Sequence, residues 1–137
     1  MTSWSLEYSF NLDKKNRIIY AKVHGIWKGE TARSYHEDFK VEVAPILNKP
    51  WAKLIDLSNW KTSFPDVVDV IGEHMEWSRR HNGVLSLYIL NNPSTFRQLN
   101  QMFDAGGTKE ISLIFRTVAE AEQYLKENWI GKTKKGA

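Results

Sequence analysis

Apolar residues recur first at every second position and later at intervals of three and four. Leu6, Tyr8, Phe10 and Leu12 share one face of an extended run, and Ile19, Ala21 and Val23 share one face of a second. Asp13-Lys14-Lys15-Asn16 lies between them and supplies turn residues, so residues 5–12 and 17–24 are predicted to pair as an antiparallel hairpin. Gly25 to Gly29 then breaks the pattern. From Glu30 to Ala44 the apolar positions are Ala32, Tyr35, Phe39 and Val43, a stripe along one side of a helix. Pro45 disfavours its continuation and Pro50 imposes an extended junction.

A third strand is predicted over residues 52–57, followed by a polar loop. A helix then runs from about Pro65, which suits a first turn, to His81, with Asn82-Gly83 as its stop. VLSLYIL (residues 84–90) is apolar almost throughout, as expected of a strand covered on both faces. Asn92-Pro93-Ser94 opens a helix that Gly106-Gly107 closes, and ISLIF (111–115) is a fifth strand. Thr117-Val118-Ala119-Glu120 has the spacing of a capping box and starts a last helix, with Ala121, Leu125 and Trp129 facing inward. The order β-β-α-β-α-β-α-β-α predicts an α/β fold: a mixed, mostly parallel five-stranded sheet with an N-terminal antiparallel hairpin.

The chain has 137 residues, 42% hydrophobic and 26% charged, which fits one folded domain over residues 1–129. It has no cysteine, so thiol chemistry and disulfides are excluded. The start of the chain lacks a basic and apolar leader pattern and no apolar run is long enough to span a membrane. A cytoplasmic location is the resulting expectation. The formal charge of +3 is matched by Lys132, Lys134 and Lys135 in residues 130–137, a stretch without acids. The excess charge therefore sits in a basic, flexible tail and not on a folded face that could track phosphates, and no nucleic-acid partner is expected.

This organisation resembles the STAS superfamily, named for sulfate transporters and anti-sigma factor antagonists, and within it the stand-alone bacterial SpoIIAA-like branch. The residues that carry the resemblance are the hairpin, Gly25 to Gly29 before the first helix, Leu54-Ile55-Asp56-Leu57 leading through a loop to a helix, VLSLYIL, ISLIF and TVAEAEQYL. It extends over residues 5–129. The resemblance implies a regulatory or binding module, in whose best-known members a Ser or Thr after the third strand is phosphorylated within Asp-Ser-Ser-Gly. Here that segment reads Thr62-Ser63-Phe64-Pro65-Asp66, without the Asp-Ser pair or the Gly. Ser63 is the candidate for phosphorylation, with Thr62 as the neighbouring hydroxyl. As Ser-x-x-Asp, Ser63 is explained by a helix cap alone, and the cap is the favoured reading.

The junction at residues 51–71 is where an α/β sheet usually meets ligands. Asp56, Ser58, Asn59 and Trp60 are expected on one side of a binding site, with Asn91 and Arg116 on the other. Arg116 suits an anion or carboxylate. Trp27 and Trp60 each fall in a predicted loop after a strand. Trp60 with Phe64 then provides an exposed anchor, a pocket wall, or a ring folded back over the end of the sheet. No catalytic signature is present. His74 and His81, seven apart, lie two helical turns from each other, and neither they nor His36 forms a His-Glu-x-x-His metal motif. Asp69, Glu73, Glu76 and Arg80 form a solvated helix row. Gly106-Gly107-Thr108-Lys109 lacks the spacing of a phosphate loop. The reading is a non-enzymatic module that engages a protein partner or small ligand, with no metal or cofactor. The alternatives are a carrier of a small apolar or lipid-like molecule in a cavity beneath Trp60 and Phe64, and an enzyme using Asp56 or a histidine. A homodimer formed through a helix face or the hairpin edge is compatible with either.

Overall fold

The computed structural model describes residues 7–130. The first two residues of the predicted opening strand, 5 and 6, and the tail lysines lie outside that range. Within it the elements follow the predicted order: β1 Tyr8–Asp13, β2 Ile18–Trp27, α1 Gly29–Val43, β3 Trp51–Ser63, α2 Asp66–Arg80, β4 Gly83–Ile89, α3 Pro93–Gly106, β5 Ser112–Phe115 and α4 Val118–Leu125. Local signals act where they were read. Asn92 accepts from the Ser94 N–H at the start of α3, and Thr117 and Glu120 form both bonds of a capping box on α4. Asn82 takes a positive φ of 75° at the end of α2.

The sheet runs β1-β2-β3-β4-β5 in chain order. β1 is antiparallel to β2 and every later pair is parallel. Each parallel step moves one place the same way, so right-handed crossovers lay α1, α2 and α3 on one face. On that face Ile19, Val23, Ile55 and Tyr88 pack under Phe39, Val67 and Phe103. α4 follows the last strand and covers the other face, where Ala121 and Leu125 meet Leu54, Leu87 and Ile89. β4 is thus buried from both sides, which is why its sequence shows no alternation.

Two boundaries depart from the sequence reading. Gly25 does not end β2. It takes φ +74° and carries the strand on to Trp27. β3 likewise continues past Leu57 to Ser63, pairing Asn59 with His24, Trp60 with Gly25 and Ser63 with Trp27. β4 accompanies β3 only as far as Asp56, opposite Ile89. The rest of β3 and β2 therefore extend as a two-stranded ribbon beyond the sheet.

Helices α2 and α3 cross at very close range. A Cβ added at Gly72 would lie 2.6 Å from Ala105 Cβ, and one at Gly106 would lie 2.8 Å from the Gly72 carbonyl oxygen. Gly72 and Gly106 are therefore fixed by contact between backbones, although both are ordinary helical residues in conformation.

Candidate functional site

The β2–β3 ribbon decides the geometry of the predicted site. On β3, Lys53, Ile55 and Leu57 face the α1–α3 side, so strict alternation would turn Trp60 the other way. Between the pairs Lys22–Asp56 and His24–Asn59, β3 carries one residue more than β2. This bulge shifts the register and returns Trp60 to the core face. A second shift between Gly25 and Ile26 does the same for Ser63. Trp60 is only 3% exposed and its Nε1 donates to Ser63 Oγ at 2.9 Å. Trp27 is equally buried and donates from Nε1 to the His24 carbonyl.

Neither tryptophan lies in a loop, then, and Trp60 is not an exposed anchor. The alternative of a ring folded inward is the one realised, and that ring is also a pocket wall. Ser63 is not the cap of α2 either. Pro65 stands at the N-cap position without a side-chain bond, while the Ser63 hydroxyl is buried as the acceptor for Trp60. Phosphorylation of Ser63 would require the ribbon to open. Thr62 and Phe64, its neighbours, are exposed.

The ribbon is held to α3 at two points. Ser63 N–H donates to Gln98 Oε1 at 3.1 Å, and Gln98 Nε2 donates to the Ser63 carbonyl at 2.8 Å. Gln98→Ala should loosen this clamp, with amide exchange at Ser63 and Phe64 quickening by about tenfold. Hydrogen exchange resolved by residue will check this, with the rates in α2 and β4 unchanged.

The residues expected to share one site are distributed over separate places. Asp56 accepts from Ser58 N–H and Oγ, at 3.0 and 2.6 Å. It borders a groove on the α4 face with Tyr20, Lys22 and Glu122. Trp60 lines an internal cavity on the opposite face. Ser58 and Asn59 are exposed on the ribbon. Asn91 and Arg116 do meet, in a groove of about 410 Å³ past the ends of β4 and β5, with Pro93 and Phe96 as its apolar wall. The physical reason for the dispersal is the strand order. A crevice at strand ends forms where the order reverses and neighbouring crossovers part to opposite faces. Here the parallel strands follow one another without reversal.

The internal cavity, about 50 Å³, lies between β3 and helices α1–α3 and is roofed by the ribbon. Trp27, Trp60, Tyr35, Leu99 and Met102 contribute apolar surface, and two basic side chains also border it. Lys53 is 2% exposed on a central strand, with its Nζ 3.4 Å from Ser78 Oγ and 5.4 Å from the centre of the Phe39 ring. Among the described residues it has no carboxylate partner, and burial pulls its pKa down to about 7. His74, from α2, is 2% exposed. Its Nδ1 lies 2.8 Å from Nδ1 of His36 on α1, while its Nε2 has no hydrogen-bond partner among the described residues. Burial, then the Lys53 charge, pushes its pKa well below the usual histidine range, and burial lowers His36 too. Both imidazoles are thus neutral at pH 7.

Sequence reasoning missed this cluster. It compared His74 with His81 on the same helix, whereas the partner comes from α1. Lys53 gave one signal, a lysine at a core-facing position of a strand, between Trp51 and Ile55.

No helix among the described residues is long and apolar enough to cross a membrane. No protein-family model matches the chain, and no curated protein matches it in sequence. Solved structures do match it in fold. SpoIIAA, a Bacillus cell fate determinant in its phosphorylated form, aligns with a TM-score of 0.56 at 10% identity, over 86% of this chain and 98% of that one. The NMR structure of TM1081 aligns with a TM-score of 0.57 at 12% identity, over 85% and 86%. The fold is therefore SpoIIAA-like, the STAS type of α/β sheet, as the resemblance implied.

Proposed function

We propose, from this SpoIIAA-like frame, that the chain is a non-enzymatic regulatory module that docks a protein partner at the carboxyl end of its sheet. The observation that carries the reading is a pair of large aromatic rings held in water there. Phe64 is 52% and Phe96 46% exposed. Phe96 shares its groove with Asn91 and Arg116. Aromatic rings beside an arginine are the residues that most often anchor protein interfaces, and exposed apolar surface of this kind marks contact sites. Asn59 and Ser58 on the ribbon extend the same end of the molecule. The reading invokes no phosphate on Ser63.

Phe64→Ala and Arg116→Ala are each expected to weaken partner capture from native lysate by about tenfold or more, the effect typical of an interface anchor. Circular dichroism and the unfolding midpoint should stay as in the parent, since both side chains are exposed. Capture of the same proteins at the same yield by both variants would refute the assignment.

The cavity beneath Trp60 supports a second reading, a module that also holds a small molecule. It is roofed by the ribbon and lined mainly by buried apolar side chains, the kind of space that accepts a compact ligand.

A further inference from the structure

The groove past the ends of β4 and β5 contains charge of one sign. Arg116 follows β5 directly and is exposed. Its guanidinium has no ion-pair or hydrogen-bond partner among the described residues. Glu120, the acid nearest to it in the chain, is already engaged. Its Oε1 accepts from the Thr117 N–H and hydroxyl in the capping box. Among the described residues no acid lines the groove, and none stands in the first turn of α3, whose Pro93 belongs to the groove wall. The two asparagines after β4 divide two tasks. Asn92 Oδ1 accepts from the Ser94 N–H and Oγ, at 3.0 and 2.8 Å, and so starts α3. Asn91 makes no such bond, and its exposed amide keeps a donor and an acceptor available in the same groove as Arg116. That pair of groups matches the C=O and N–H of a peptide backbone.

We infer that the partner's docking segment is an extended stretch with an aspartate or glutamate beside a large aliphatic residue. The guanidinium of Arg116 takes the carboxylate, Asn91 takes a neighbouring peptide group, and the aliphatic side chain lies on Phe96 and Ile114. The inference rests on the first reading above, that this end of the sheet docks a protein. One cation suits one negative charge. A phosphoryl group carries about −1.5 to −2 and is bound by clusters of arginine, whereas Arg116 is the one cation among the residues that line this groove. Size agrees with a segment of chain. The groove, about 410 Å³, falls within the roughly 300–1,000 Å³ of sites that enclose a drug-sized molecule, so it takes a few residues and not merely an ion.

The test titrates isotope-labelled protein with two blocked heptapeptides at low, constant ionic strength. One is acetyl-Gly-Ser-Leu-Asp-Leu-Ser-Gly-amide, and the other has Asn in place of Asp. Side-chain N–H signals of Arg116 and Asn91 are followed by NMR. The acidic peptide should give saturable shifts at both, with affinity about tenfold above that of the Asn peptide, the margin of a charge-assisted bond. Arg116→Gln, which keeps an amide donor and removes the charge, should abolish that margin. Phe96→Ala should weaken both peptides by a similar factor. Equal affinity of the two peptides for the parent, or a margin that survives in Arg116→Gln, would overturn the carboxylate assignment. So would a lack of saturable shifts with either peptide. Phe64 does not line this groove, so these results leave the docking reading standing as long as Phe64→Ala loses partner capture. Unchanged capture by both Phe64→Ala and Arg116→Ala removes the docking reading, and this one with it.

Discussion

Replacing Lys53 by methionine is expected to stabilise the protein by about 2–4 kcal/mol at pH 7, an unusual direction for a core substitution. Folding lowers the amine from 10.5 to about 7 through burial, and linkage equates that displacement with roughly 3–5 kcal/mol against the folded state at neutral pH. Methionine fills a similar volume without a charge, and it gives up one weak bond to Ser78 and the contact with the Phe39 ring. The pH dependence provides the sharper check. Between pH 7 and 10.5 the unfolded chain binds a proton on Lys53 that the folded chain does not, so the parent gains stability as pH rises through that window. In Lys53→Met that slope should vanish. The measurement is best made up to about pH 9.5, because Tyr8, Tyr35 and Tyr88 have pKa values raised by burial. Their unfolded phenols ionise near pH 10, which removes stability above that pH. On the acid side the depressed His36 and His74 act in the same sense as Lys53, and stability should fall as pH drops through about 6.5. Urea unfolding of parent and variant at half-unit pH steps will decide the matter. A variant less stable than the parent would mean that Lys53 is already neutralised in the folded protein.

Gly72→Leu is expected to destabilise by about 2–3 kcal/mol, the cost of overpacking a tight interface. Helix propensity alone favours the substitution by about 1 kcal/mol, so the sign of the result isolates the helix crossing. The first atom in the way is Ala105 Cβ at 2.6 Å, followed by the Ala105 carbonyl carbon at 3.3 Å. A milder pair makes the argument specific. Gly72→Ala should destabilise alone, and Ala105→Gly in the same chain should restore most of the loss, because it removes the one side-chain atom in conflict. Denaturant midpoints of the four proteins in that cycle give the coupling directly. Independent, additive effects would show that α2 and α3 do not meet there.

Several parts of this molecule are legible residue by residue. Asn92 and the Thr117–Glu120 box cap their helices as their spacing requires, and Asn82 stops α2 in the left-handed conformation that asparagine tolerates. The continuous apolar run of β4 correctly indicates two covered faces. The antiparallel hairpin followed by parallel strands is legible from the alternation of β and α segments, whereas the order of the strands is not, because a right-handed crossover can step to either side of the sheet. All these signals act within one turn or one strand, or through a rule that holds for nearly every sheet.

The candidate site was legible only in outline. Asn91 and Arg116 are brought together past the strand ends as expected, because each follows directly from the end of a strand whose limits the sequence marks. Trp60 was expected in a loop, whereas it lies in β3 with its ring turned inward, one of the outcomes the sequence allowed. Its side depends on a single extra residue in β3 relative to β2, and pairing register is a property of two strands, not of either sequence alone. Ser63 is buried for the same reason. His36 and His74 lie 38 positions apart in the chain, and Lys53 is far from both. The local sequence around each is that of an ordinary helix or strand, so composition and periodicity carry no trace of their convergence. Elements and caps thus come from local sequence, where energies depend on neighbours three or four residues away. The inward turn of Trp60, the Gly72–Ala105 contact and the Lys53–His74 cavity come from packing between distant segments, which sets register and desolvation only once the sheet and helices have closed on each other.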